Sequence, residues 1–97
     1  MDAINTVREY LAPRLNALIR HYIEQNEVNA TQFFTGILAR LNTIEYEEQL
    51  LELFIELSTT AFHGFLFDDT SWAMTDEILA YSIEISETFT ASAQHPH

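Results

Sequence analysis

An all-α fold, a small bundle of about four helices in one domain over residues 1–97, is predicted by three observations. Apolar residues recur at three- and four-residue steps almost from end to end, the spacing that lines one face of a helix. Only two Gly and two Pro interrupt the chain, so long stretches are free of helix breakers. A hydrophobic content of 47%, with seven Phe, four Tyr and one Trp, is ample for a packed core.

The first helix is expected over residues 2–25, with Ile4, Val7, Leu11, Leu15, Leu18, Ile19, Tyr22 and Ile23 on one broad face. Pro13 lies inside it. Proline removes the hydrogen bond to the Glu9 carbonyl and crowds that turn, so the helix is predicted to be kinked or broken near Pro13. The polar run 25–29 reads as a loop, after which Asn29 or Thr31 offers an N-cap for a second helix ending near Leu41. Its apolar face is Phe33, Phe34, Ile37, Leu38 and Leu41. A sharp turn follows, with Asn42 as the expected N-cap and Glu45 completing a capping box.

The third helix is expected over residues 44–67. It is apolar nearly all round, which predicts that it is the central one. Its stretch 50–67 is almost long enough to suggest a membrane span, but Glu52 and Glu56 lie within it, and each would cost roughly 2.5–3.5 kcal/mol near a bilayer centre. A soluble core helix fits better. Asp68, Asp69, Thr70 and Ser71 break the pattern and supply caps for a fourth helix over about 71–91, with Trp72, Ile78, Leu79, Ile83, Ile85 and Phe89 predicted to face inward. Residues 92–97 read as a frayed tail.

Charge divides the chain unevenly. Arg8, Arg14, Arg20 and Arg40 are its only Lys or Arg residues, and in the first forty positions they balance Asp2, Glu9, Glu24 and Glu27. From Leu41 onward there are eleven carboxylates and no Lys or Arg, so the whole formal net charge of -11 belongs to that part. Direct nucleic-acid binding is excluded on electrostatics, because neutralising phosphates requires clustered cations. An acidic membrane surface would also repel the chain. Halophilic adaptation would acidify the first forty residues as well, and they are balanced.

Glu45, Glu48, Glu52 and Glu56 follow three- and four-residue steps and are expected to form one narrow stripe along the third helix. Glu77, Glu84 and Glu87 form a second, looser one, and Asp68, Asp69 and Asp76 add to it. Like charges at this spacing destabilise a helix by about 0.2–0.5 kcal/mol per pair, and acids toward a carboxyl end oppose the macrodipole. Stability alone does not explain them. Four helical residues rise by about 6 Å, comparable to neighbouring phosphates along a strand. Such a surface resembles, in charge and size only, the acidic phage-encoded inhibitors that mimic nucleic acid. The expected activity is therefore non-enzymatic: a cytoplasmic protein, a homodimer in one version, that binds a basic partner protein of the kind that handles nucleic acid.

The alternative is a helical oligomerisation or docking module that uses apolar helix faces, with the acids serving solubility only. In that version the aromatic cluster Phe62, Phe65, Phe67 and Trp72 completes an interface. No cofactor or metal is expected. The nearest approach to a di-iron motif is the reversed fragment His21-Tyr22-Ile23-Glu24, with His63 as a second imidazole. Gly36 and Gly64 are isolated, so there is no phosphate-cradling loop. Without Cys there is neither a disulfide nor a thiolate site.

Overall fold

The structure, a computed structural model, describes residues 3–59 and 68–94. These form a compact all-α bundle of four helices: α1 (Ala3–Glu24), α2 (Val28–Thr43), α3 (Glu47–Ser58) and α4 (Asp69–Gln94). No described helix is long and apolar enough to cross a membrane.

α1 runs through Pro13 as one uninterrupted helix, so of the two expected outcomes there, a kink or a break, the break is absent. Pro13 and Glu9 both lie on the exposed face, where a carbonyl deprived of its helical donor costs least. Asn26 closes α1 with φ 59°, the left-handed conformation that a helix C-terminus favours and that Asn tolerates among non-glycine residues. The turn is held by Asn26 N–H donating to the Ile23 carbonyl and Glu27 N–H donating to the Tyr22 carbonyl, at 3.1 and 3.0 Å. α2 therefore starts earlier than the polar run suggested, with Glu27 at the N-cap in place of Asn29 or Thr31.

α2 also runs two residues past Leu41, so Asn42 is helical and caps nothing. The C-cap is Ile44, in extended backbone, and the predicted start of the third helix is in fact this linker. α3 begins at Glu47, where Gln49 plays the part expected of Glu45. Its side-chain oxygen accepts from the Tyr46 and Glu45 backbone N–H groups at 3.0 and 2.8 Å. α3 is described to Ser58. Its expected continuation, with Phe62, His63, Gly64, Phe65 and Phe67, lies outside the described residues.

The cap of α4 forms within the predicted cluster. Asp68 Oδ1 accepts from the Ser71 N–H at 2.7 Å, and Ser71 Oγ accepts from the Asp68 N–H at 3.0 Å. The two residues thus satisfy each other's backbone donors.

The core is built on α1, which packs against all three other helices, whereas α2 does not touch α4 among the described residues. α3, expected to be the central helix, also packs against all three others, but along its described length it buries less than α1. α1 buries Ile4, Val7, Leu11, Leu15, Leu18, Ile19 and Tyr22. The shorter α3 buries only Leu50, Leu53, Phe54 and Leu57 and turns its other side to solvent. From α2 come Ala30, Phe34, Ile37 and Leu41, with the Tyr22 and Phe34 rings stacked at 5.6 Å and Phe33 edge-on to Phe34.

α4 presents an unusual inner face. Among its described side chains the buried ones are Ser71, Thr75, Ile78 and Ser82, so of the predicted inward set described there only Ile78 is fully buried. Leu79 and Ile85 are partly buried, Trp72 and Ile83 are exposed, and the Phe89 side chain lies outside the described residues. Ser82 returns its hydroxyl to the Ile78 carbonyl at 2.9 Å. Burial raises the Tyr22 phenol above its ordinary pKa, opposed by the neighbouring Thr75 and Ser71 hydroxyls.

Candidate interaction surface

Three of the four arginines are engaged inside the molecule. Arg8 reaches from α1 to the end of α2, donating from Nε to the Leu41 carbonyl at 3.2 Å and from Nη2 to the Ile44 carbonyl at 2.8 Å. Its third donor bonds Asn5 Oδ1 at 3.0 Å. A guanidinium fork can satisfy several acceptors at once, and here it caps a helix whose exposed carbonyls attract a cation. Arg14 lies over the Tyr10 ring at 3.6 Å and donates to Glu77 Oε1 at 2.9 Å. Tyr10 in turn stacks on Tyr81 of α4, with centroids 3.8 Å apart. Arg40 of α2 pairs with Glu56 of α3. Arg20 is exposed, and the described residues include no ion pair to it.

These contacts remove several acids from the predicted surface. Glu77 is held below the usual carboxylate range, first by the Arg14 hydrogen bond. Glu56 faces Arg40, so it sits on the side of α3 toward α2. Asp68 accepts from Ser71 and also from His21 Nε2 at 3.0 Å, and its carboxyl is held at about 2, chiefly by the Ser71 backbone and side chain and then by His21. His21 is thereby tied to the cap of α4. Among the described residues no three His, Asp or Glu side chains come together as a metal-holding group.

The four-carboxylate ladder on one helix does not form. Glu45 stands in the linker before α3, and Glu56 is paired, which leaves Glu48 and Glu52 as the exposed helical step. The first-turn acids Glu47 and Glu48 of α3 and Asp69 of α4 also sit where the helix dipole favours them. Glu84 and Glu87, expected to oppose the dipole of their helix, lie well before its end, because α4 extends to Gln94. Of the eleven second-half carboxylates, Glu45, Glu47, Glu48, Glu52, Asp69, Asp76, Glu84 and Glu87 remain exposed without an ion-pair partner among the described residues.

Sequence reasoning missed the apolar part of this surface. Ile55 of α3 and Ile83 of α4 are 66% and 56% exposed and flank a groove of about 310 Å³ between the two helices. Phe54 and Leu79 line it, together with Ser58, Ser82, Ser86 and Glu87. Helical geometry supplied a usable signal. With Ser71, Thr75, Ile78 and Ser82 inward, Trp72, Leu79 and Ile83 fall on an adjacent stripe displaced toward α3.

The chain matches no protein-family model, no curated protein and no solved structure.

Proposed function

We propose that this protein is a cytoplasmic, non-enzymatic interaction module that binds a basic partner protein, of the kind that handles nucleic acid, through the acidic outer faces of α3 and α4. One observation carries the reading: internal pairing uses up most of the chain's arginines and leaves eight second-half carboxylates facing solvent. A surface of one sign attracts its complement over a Debye length and speeds encounter, and its effect declines with salt. The partial loss of the helical ladder shifts the weight of the reading from mimicry of phosphate spacing to charge density across two helices.

The test compares the native protein with a variant carrying Glu48→Gln, Glu52→Gln, Asp76→Asn, Glu84→Gln and Glu87→Gln. Both are immobilised, exposed to nuclease-treated lysate and eluted in rising salt, with the fractions identified by mass spectrometry. The expected result is one basic protein held by the native chain and released from the variant at clearly lower salt. An unchanged elution point would remove the acids from the function.

The exposed Ile55 and Ile83 favour a second reading, a docking or oligomerisation module whose contacts are apolar and whose acids confer solubility. Contacts of that kind would resist salt.

A further inference from the structure

We infer that the groove between α3 and α4 is the slot in which the basic partner docks an amphipathic helix, its apolar residues seated between Ile55 and Ile83 and its Lys or Arg residues lying against the flanking acids. The inference rests on the acidic-surface reading and gives that surface a shape.

The groove suits an apolar anchor. Phe54 and Leu79 line it, and two of its three serines already spend their hydroxyls internally: Ser58 donates to the Ile55 carbonyl at 2.6 Å and Ser82 to the Ile78 carbonyl at 2.9 Å. A hydrocarbon side chain entering there strands neither hydroxyl. At about 310 Å³ the groove is at the lower bound of small-molecule pockets, and it is open along one side, which fits a few inserted side chains better than an enclosed ligand. Its two walls are helices, and the described residues contain no strand edge to extend, so a third helix laid along the seam is the recognition mode that matches.

The rim selects the charge of the occupant. On α3, Glu48 and Glu52 precede Ile55 by seven and three residues, and on α4, Asp76 precedes Ile83 by seven while Glu87 follows it by four. Those steps put Ile83 on the same helical face as two exposed carboxylates and Ile55 on that of Glu48, while Glu52 turns toward Arg40 and lines the cleft between α2 and α3. Glu87 also lines the groove itself. A second copy of this chain is a poor occupant, since it carries the same net charge of -11, has no Lys, and has Arg8, Arg14 and Arg40 engaged internally. Charge complementarity therefore points to a basic helix from another protein.

The experiment titrates the full chain with a synthetic Leu/Lys amphipathic helix of about five turns. A peptide of equal composition, scrambled so that no apolar face forms, is the comparison. Binding is read by calorimetry and by the emission of Trp72, the only Trp in the chain and exposed on α4. The amphipathic peptide is expected to bind, and Ile55→Ser with Ile83→Ser to weaken it by about tenfold or more, as truncation of central apolar anchors does. Both isoleucines are exposed, so this variant retains its fold, which circular dichroism verifies. Equal binding of the scrambled peptide, or no loss in the isoleucine variant, would overturn the groove while leaving the acidic-surface reading intact. Failure of both peptides to bind would overturn both. A native dimer that the isoleucine variant dissolves would also overturn the inference, by assigning the groove to a second copy.

Discussion

Replacing Arg8 by Met removes the clamp at the end of α2 while keeping most of the apolar stem. The guanidinium holds two carbonyls at 3.2 and 2.8 Å, both partly buried, and an exposed Asn5 oxygen that contributes little. A hydrogen bond from a charged donor contributes roughly 1.5–3 kcal/mol when well shielded. Arg8 is only half-buried, and the Leu41 carbonyl keeps a longer bond from the Ile44 N–H at 3.5 Å, so about 1 kcal/mol per bond is the appropriate scale. A cation at a helix carboxyl end adds about 0.5 kcal/mol. The expected loss is therefore about 2.5 kcal/mol, a large share of the roughly 5–15 kcal/mol that holds a domain of this size. Urea unfolding should show a lowered midpoint at unchanged slope, and thermal melting a drop of about 10–20 °C. Arg8→Lys should recover only part of the loss, because one ammonium does not reproduce the fork. A loss under about 0.5 kcal/mol for the Met variant, or full rescue by Lys, would refute the assignment of Arg8 as the clamp.

Leu15→Ala, at a fully buried position on the central helix, should cost about 3–5 kcal/mol in the same assay, whereas Ile83→Ala should stay within about 0.5 kcal/mol. The reverse ranking would mean that Ile83 belongs to the core. Asp68 has a folded pKa of about 2 against an ordinary 3.8, so its contribution is present above pH 3.8 and is lost as the pH falls through about 2. Asp68→Asn keeps an oxygen for the Ser71 N–H and should flatten that part of the acid unfolding curve, and an unaltered curve would argue against the cap and the His21 contact. Raising NaCl from about 10 mM to about 0.5 M should raise the melting temperature, because repulsion among the eight unpaired second-half acids outweighs the two exposed arginine ion pairs. A falling melting temperature would show the pairs to dominate.

Periodicity made much of the fold legible. The inward face of α1 was readable because large apolar residues recur at helical steps over six turns, and the cap at Asp68 because short polar residues cluster where the pattern stops. The linker at Ile44 was not. Isoleucine continues the apolar pattern, and the extended backbone there is braced by a hydrogen bond from Arg8, 36 residues away. α4 was misread for the opposite reason. Ile78 is inward as its spacing indicates, but Ser71, Thr75 and Ser82 share its buried face, while the larger Trp72 and Ile83 are exposed. The acids were visible as an imbalance, but which of them meet Arg14 and Arg40 depends on how the helices pack, and local spacing carries no information about that.

The hydroxyl-lined seam of α4 also bears on how the native state breathes. α1 and α2 interlock through rings and leucines, while α4 among the described residues contributes a single fully buried large side chain, Ile78. Local stability follows the apolar area that each element withdraws from water, so the bundle has a tight half and a loose half. Under native conditions the amide hydrogens of α4 should exchange through sub-global opening, at a free energy below that which governs the centres of α1 and α2. A ligand seated between α3 and α4 would close that opening, and the gain in protection along α4 would appear even at amides it never touches.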